Sequence, residues 1–155
     1  MEIGSFHHKT FMSIPGRSRE KHNHSQAKRC KIAERTGISM LRHASDMPRE
    51  ERLHMREGEG TVTLTAAFEK GDYAAPLRLF SRITLPAGAS IGYHVHEQEE
   101  EFYYILSGRG EMDDNGTPVT LQAGDATVTR SGQGHALRNT GSEPLEVLAV
   151  IALVP

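Results

Sequence analysis

Short runs of apolar and β-branched residues recur along the chain from about residue 60 onward. Each run is about five to ten residues long and is bounded by turn-forming residues, which is typical of strands rather than helices. We predict strands in the segments TVTLTAAF, LRLFSRITL, EFYYILSG, ATVTRSG and PLEVLAVIALV. No segment of this region shows the 3.6-residue periodicity of a long amphipathic helix.

Glycine, proline and asparagine mark the turns between these runs, in the segments PAGA, DDNGTP, LQAGD, SGQG and NTGSEP. Asn115-Gly116 is the strongest signal, since both residues tolerate the positive φ of a two-residue hairpin. Many short strands at close spacing indicate an antiparallel sandwich or barrel. We therefore expect one all-β domain over residues 57–155, with residues 40–56 as a linker or N-terminal segment.

Residues 1–39 differ from the β-rich region in composition and charge. They contain eight Lys or Arg and three Asp or Glu, whereas residues 40–155 contain ten and seventeen. A basic segment could bind nucleic acid, but this one has few large apolar residues, no amphipathic stripe and no interleaved aromatics. We predict a disordered extension without a nucleic-acid partner, with at most a short helix over residues 26–36. Translation from Met40 would explain the same shift in composition.

Cysteine content and hydropathy bear on where the protein resides. Cys30 is the single cysteine, so the chain forms no internal disulfide. No apolar run approaches the roughly 20 residues that span a bilayer. The first residues, MEIGSFHHKTF, lack the apolar centre of a secretory signal. We expect a cytoplasmic protein that does not contact a membrane.

Candidate chemistry is concentrated in the segment YHVHEQEEEFYYILSGRG, residues 93–110. His94 and His96 lie at i and i+2, so a strand would project both imidazoles to one face. The pair alone is a weak sign of a metal site, because His22 and His24 repeat the spacing in the basic segment. The residues around the pair therefore decide its meaning.

Two longer patterns surround this pair. The first follows G-x5-H-x-H-x4-E-x6-G and comprises Gly88, His94, His96, Glu101 and Gly108. The second follows G-x5-P-x-G-x2-H-x3-N and comprises Gly124, Gly132, His135 and Asn139, with Arg130 at the proline position. Together they resemble the two motifs of the cupin superfamily, and in particular small single-domain bacterial cupins of the oxalate-decarboxylase-like or sugar-isomerase-like group. We expect Arg130 to loosen its turn and Asn139 to fix the NTGSEP turn.

The resemblance implies a double-stranded β-helix, a small jelly-roll barrel, with a divalent metal inside. The implied ligands are His94, His96, Glu101 and His135. Three imidazoles and one carboxylate suit Mn, Fe, Co, Ni or Zn, and the resemblance favours manganese. On an octahedral ion, two positions remain for waters or for a chelating carboxylate, diol or enediol. The alternative is that the four residues are hydrogen-bonded barrel residues without a metal.

The side chains beside Glu101 are open to more than one interpretation. Tyr103 shares the face of Glu101 on an alternating strand, so it either contacts the ligands or the substrate or only packs in the barrel. No catalytic residue is otherwise assigned. A solvated acidic rim in the turn before the strand is expected from Glu97, Glu99 and Glu100.

Two further sets of side chains bear on binding and assembly. Arg78 and Arg82 alternate with Phe80, and either bind an anionic ligand inside the barrel or lie outside it. An apolar outer surface, covered by N-terminal strands or by a second subunit, is expected from Phe102, Tyr104 and Leu106. We predict a homodimer.

Two functions are consistent with these patterns. One is a metal-dependent enzyme, an oxidoreductase, lyase or isomerase, that acts on a small acid, enediol or sugar derivative. The other is a non-enzymatic protein that binds or senses such a ligand. Oxalate decarboxylases of the superfamily carry an arginine three residues before the first metal histidine, whereas this chain has Ile91. That difference weighs against decarboxylation.

Overall fold

The computed structural model describes residues 40–155. Within this range lie ten strands: Arg49–Leu53 (β1), Thr61–Phe68 (β2), Leu77–Leu85 (β3), Ser90–Val95 (β4), Glu99–Ser107 (β5), Arg109–Asp114 (β6), Thr117–Gln122 (β7), Ala126–Thr129 (β8), Gly134–Asn139 (β9) and Leu145–Leu153 (β10). The only helical segments of this range are 3₁₀ turns at Ala44–Asp46 and Met55–Glu57. The all-β prediction is confirmed, and the predictions for residues 1–39 fall outside the described residues.

The strands form two antiparallel sheets. The six-stranded sheet has the order β1-β2-β3-β10-β5-β8, and the four-stranded sheet has the order β4-β9-β6-β7. Both sheets contain strands from the first and the second half of the domain, so most pairings join segments that are distant in sequence. Such interleaving is typical of a jelly roll.

The hydrophobic core lies between the sheets. Alternate residues of each strand are buried, as expected where one face of a strand packs inward. The six-stranded sheet contributes Ile83, Ile105 and Val147, and the four-stranded sheet contributes Met112 and Leu137. All of them belong to one cluster of buried side chains.

Several predicted elements match the structure closely. The segments TVTLTAAF and LRLFSRITL are β2 and β3. Asn115 and Gly116 have φ values of 51° and 89° and connect β6 to β7, as the hairpin prediction requires. Asn139 donates to the carbonyls of Leu85 and Glu143 and accepts from the Gly141 amide, so it fixes the turn that follows β9.

Several strand features were not anticipated. The predicted strand segments do not include β4, β6, β7 and β9, although the Asn115-Gly116 hairpin implies β6 and β7. β1 lies inside residues 40–56 and pairs with β2 along its whole length. β5 begins at Glu99, two residues before the predicted start. The register of β3 against β10 shifts near the start of β3. Leu79 pairs with Ile151 and Leu77 pairs with Ala152. Arg78, which lies between the two leucines, therefore has no partner on β10. This irregularity is a β-bulge, which redirects a side chain.

The turn at Arg130 is closed without the proline of the family pattern. The Arg130 amide donates to Oε1 of Gln133 at 3.0 Å, and the Gln133 amide donates to the Arg130 carbonyl at 2.9 Å. Proline has no amide hydrogen and could not make the first of these bonds. The expected loosening is therefore offset by a contact that only a non-proline residue can make.

Among the helices of the described range, none has the length and apolar character needed to cross a membrane.

Candidate metal centre

The four predicted ligands come from three strands and one strand end. His94 lies in β4, His96 follows the last residue of that strand, Glu101 lies in β5 and His135 lies in β9. β4 pairs with β9 so that His94 and His135 are directly opposite. One donor atom from each of the four residues lies within 4.8 Å of the others. The structure thus brings together all the residues that the two sequence patterns single out.

The nitrogen atoms that converge are the Nε2 atoms of the imidazoles. Nε2 of His135 lies 3.1 Å from Nε2 of His96 and 3.3 Å from Nε2 of His94. Oε2 of Glu101 lies 2.9 Å from Nε2 of His135, 3.1 Å from that of His96 and 3.8 Å from that of His94. Ligands held at about 2.1 Å from one ion are separated by similar distances.

The other nitrogen of each imidazole has its own partner. Nδ1 of His94 contacts the Gly92 carbonyl oxygen at 2.9 Å, and Nδ1 of His96 contacts Oε1 of Glu99 at 2.8 Å. A carbonyl and a carboxylate oxygen can only accept, so both Nδ1 atoms carry the hydrogen. In the neutral rings the Nε2 atoms therefore present lone pairs to the centre, as metal ligands do. Nδ1 of His135 pairs with the Thr129 hydroxyl at 2.9 Å.

Glu101 lies at the middle of the cluster with one oxygen unsatisfied. Its Oε2 is buried and has no hydrogen-bond partner. Burial alone would raise the pKa of Glu101, but the surrounding imidazoles, His135 foremost, outweigh it and hold this pKa well below its usual range. The carboxyl group is thus an anion at neutral pH, and its charge faces the point where the imidazole nitrogens converge.

The pKa values of the two buried imidazoles, His135 and His96, shift in opposite directions. Burial lowers the pKa of His135, and Glu101 offsets this only in part. For His96, burial also acts to lower the pKa, but the neighbouring carboxylates of Glu101 and Glu99 outweigh it and raise that pKa. A buried set of nitrogen and oxygen donors facing one point fits a first-row divalent cation. The residues present therefore suit the metal that the family resemblance implies.

Glu99 is part of this cluster, and the expectation that it belongs to a solvated rim is wrong. Its side chain is only 13% exposed and its Oε1 accepts the hydrogen of His96 Nδ1. The guanidinium of Arg78 binds the same carboxylate through Nε and Nη2. Arg82 instead contacts Glu146, with 3.7 Å between Nη1 and Oε1. The two arginines thus have different partners, although their spacing on a regular strand would place them on one face.

Tyr103 is buried, as its place two residues after Glu101 predicts. Its ring stacks on the imidazole of His135, with centroids 5.0 Å apart and planes 20° from parallel. Burial and the nearby Glu101 carboxylate raise the pKa of Tyr103 well above its ordinary value. Its hydroxyl therefore stays protonated and can donate a hydrogen bond.

Sequence reasoning missed two residues that orient the imidazoles, Glu99 and Thr129. For Glu99 the signal was its place two residues before Glu101, since strand residues at i and i+2 share a face. Thr129 could have been found in the same way once β8 was paired with β5, because it lies opposite Glu101.

A strained segment supports the strand that carries His94. His54, Arg56 and Glu57 have φ values of 50°, 54° and 65°, a left-handed conformation that is uncommon for non-glycine residues. The segment packs on β4, where the Ser90 amide donates to the Glu59 carbonyl at 2.9 Å. Strained backbone of this kind clusters near functional sites.

The backbone of that segment comes very close to β4 at Gly92. A Cβ atom added to Gly92 would overlap the carbonyl oxygen of Arg56. The absence of a side chain therefore permits this contact, and the carbonyl of the same glycine orients His94.

Comparison with known proteins identifies the relatives of this chain. Residues 81–151 match the family model Cupin_2, described as a cupin domain. A Thermotoga maritima protein named as an oxalate-binding protein is 43% identical over 118 residues, which is 76% of this chain and 98% of the relative.

Solved structures give the same result. One described as a predicted oxalate decarboxylase from Thermotoga maritima has a TM-score of 0.71 and 43% identity, covering 74% of this chain and 100% of the other. The polyketide cyclase RemF from Streptomyces resistomycificus has a TM-score of 0.62 at 18% identity, covering 75% of this chain and 80% of its own, and shares the fold alone. The jelly-roll barrel implied by the resemblance is confirmed. The chain belongs to the cupin family.

Proposed function

We propose that His94, His96, Glu101 and His135 bind one divalent metal ion, with manganese as the first choice and Fe, Ni, Co or Zn as alternatives. The observation that carries the proposal is the convergence of three Nε2 atoms on the unsatisfied Oε2 of Glu101. The hydrogen bonds at Nδ1 of His94 and His96 add support, because they turn the lone pairs of both rings toward that point.

The ligand we propose for this ion is a small, oxygen-rich acid, with oxalate as the first probe. Four protein donors leave two positions on a six-coordinate ion, which a small dicarboxylate can occupy by chelation. A bound metal supplies Lewis acidity that polarises such a carboxylate. The relative named as an oxalate-binding protein supports the choice of oxalate, since the chain covers almost the whole of that relative.

Oxalate binding is expected to depend on the metal. Isothermal titration of the manganese-loaded protein should show one oxalate per chain, whereas protein treated with a chelator should show no heat of binding. Acetate serves as the control ligand. It has a single carboxylate, so it cannot occupy the two open coordination positions of the ion with two separate carboxylates as oxalate can. Equal oxalate affinity with and without metal would contradict the proposal.

A metal-dependent enzyme is the second candidate, favoured by Tyr103. Its protonated hydroxyl beside Glu101 can donate a hydrogen bond to a ligand in the barrel, and so stabilise negative charge that develops on that ligand. Ile91, at the position of the decarboxylase arginine, is fully buried in the apolar core and cannot replace that arginine. Consumption of oxalate by the metal-loaded protein would favour an enzyme, and affinity without turnover would favour a binding protein.

We also propose that the chain forms a homodimer through the outer face of β5. Phe102, Tyr104 and Leu106 are 41%, 48% and 43% exposed, and Val128 on the neighbouring β8 joins them. β1 and β2 lie at the far edge of the same sheet and do not cover this face. An apolar surface of this kind is typical of an interface with another protein.

The double variant Phe102→Glu, Tyr104→Glu is expected to be monomeric, because two carboxylates would have to lose their hydration at the interface. Light scattering at micromolar concentration should give twice the chain mass for the unchanged protein and the single mass for the variant. Val119→Glu is the matched control, since Val119 is an exposed residue of the other sheet. A monomeric unchanged protein would contradict the homodimer.

A further inference from the structure

One of the three imidazoles is held by a chain of charged contacts that reaches the protein surface. Nε and Nη2 of Arg78 donate to Oε2 and Oε1 of Glu99 at 2.5 Å and 2.6 Å. Oε1 of Glu99 then accepts the hydrogen of His96 Nδ1 at 2.8 Å. Nε2 of His96 faces the candidate metal centre, so three side chains link the surface to the site.

The fold supplies both outer members of this chain. The bulge in β3 leaves Arg78 without a partner on β10, which frees its side chain from the alternation of the strand. Glu99 is the first residue of β5 and shares the inward face with Glu101. The exposed fractions of the side chains fall along the series, from 45% for Arg78 to 13% for Glu99 and 1% for His96.

The three imidazoles do not have equivalent partners. A neutral carbonyl accepts from His94 and a neutral hydroxyl pairs with His135, whereas an anionic carboxylate accepts from His96. A carboxylate on the far nitrogen fixes the tautomer of a metal-bound histidine and raises the basicity of the ligating nitrogen. His96 is thus the ligand whose strength depends on a charged side chain.

We propose that Glu99 and Arg78 are positioning residues that set the metal affinity of the site. Glu99 holds His96 in the tautomer with its lone pair toward the ion, and Arg78 holds Glu99 in place. This inference rests on the metal-binding function proposed above.

The two-point contact is what makes Arg78 effective. A guanidinium that engages both oxygens fixes the plane of the carboxylate as well as its position. Without it, the partly exposed side chain of Glu99 can rotate toward solvent and leave His96 Nδ1. The hydrogen bonds of Arg78 are with Glu99, and its electrostatic interaction with Glu101 is the weaker one, so its effect on the metal passes mainly through Glu99.

A double-mutant cycle on the full-length protein tests whether Arg78 acts on the metal through Glu99. Glu99→Ala is expected to weaken manganese binding by about 10-fold to 100-fold, the usual effect of removing such a partner. Arg78→Ala should weaken it less, by about 3-fold to 10-fold, because Glu99 still reaches His96 for part of the time. Combining the two should give nearly the loss of Glu99→Ala alone, since Arg78 acts mainly through Glu99.

Manganese affinity is measured by competition with a chelator. Arg82→Ala is the matched control, because Arg82 lies on the same strand and pairs with Glu146 instead. Glu99→Gln keeps an oxygen acceptor for Nδ1 and should recover part of the loss. Additive losses in the double variant, or an affinity that is unchanged in Glu99→Ala, would overturn the proposal.

A second measurement separates this proposal from the proposed metal binding. Nitrogen NMR of the imidazoles in metal-free protein reports the tautomer of each ring directly. Glu99→Ala should convert His96 to a mixture of tautomers and leave His94, which donates to the Gly92 backbone, unchanged. An unchanged His96 spectrum would refute the positioning role even if the metal binds. A changed spectrum together with no metal binding in the unchanged protein would uphold the positioning of His96 and refute both the metal-binding function and the claim on metal affinity.

Discussion

Replacing Glu101 with alanine is expected to abolish metal binding. The carboxylate supplies the negative charge and the only oxygen donor among the four converging side chains. Its loss should weaken binding by more than the roughly 100-fold that a supporting residue can cost. Elemental analysis of protein purified without a chelator or a nickel column should find near-stoichiometric metal in the unchanged protein and none in the variant.

Thermal stability provides an independent readout of the same change. Metal present at about 100 times its dissociation constant adds about 2.7 kcal/mol to the free energy of unfolding. For a domain of this size that corresponds to about 10 °C in Tm. Added metal should therefore raise the Tm of the unchanged protein by this amount and leave the Tm of Glu101→Ala where it was.

Glu100→Ala is the matched control for this experiment. Glu100 adjoins Glu101 on β5, and successive strand residues point to opposite faces, so its loss should leave the metal in place. His135→Ala should behave like Glu101→Ala. Full metal occupancy in both Glu101→Ala and His135→Ala, with circular dichroism showing a folded protein, would refute the assignment of the ligands.

Gly92→Ala should strongly destabilise the domain, although it adds only one methyl group. The new Cβ would overlap the Arg56 carbonyl, and backbone cannot move aside as a flexible side chain can. Overpacking of this kind costs about 3 kcal/mol, so the midpoint of chemical denaturation should fall while its slope stays the same. Because the Gly92 carbonyl orients His94, metal affinity should fall as well.

Gly141→Ala tests whether the loss is specific to the close contact at Gly92. A Cβ at Gly141 would lie 3.2 Å from Cγ of Arg109, a side chain that can shift. Its effect on stability should stay within about 1 kcal/mol, as is usual away from packed sites. Equal stability of Gly92→Ala and the unchanged protein would contradict the prediction, because it would mean that the backbone at Arg56 can move away from the new Cβ.

Sequence reasoning identified strands in which alternating burial accompanies a long apolar run, whereas β9, GHALRN, also buries alternate residues and was not predicted. β2, β3 and β10 each bury one face, so their hydrophobic pattern reveals them. β1 was missed because all five of its residues are exposed and its sequence, REERL, shows no such alternation. Backbone pairing with β2 holds this edge strand, and its charged side chains protect the open edge from pairing with other chains.

In the candidate site, too, some features could be predicted from the sequence pattern and others could not. The spacing of His94, His96, Glu101 and His135 carried enough information to predict that they converge. The place of Glu99 was also readable, because it shares a strand face with Glu101. The bulge at Arg78, which lets this residue contact Glu99, leaves no trace in a periodic pattern.

The distribution of the four side chains over two sheets has a kinetic consequence. His94 and His135 belong to the four-stranded sheet and Glu101 to the six-stranded sheet, so the donors meet only after the sheets have docked. An ion held as proposed cross-links the sheets, and its stabilisation is absent from any transition state in which they are still apart. Such an ion slows unfolding and hardly changes the rate of folding. The metal would then lengthen the lifetime of the folded state and leave the rate of folding nearly unchanged.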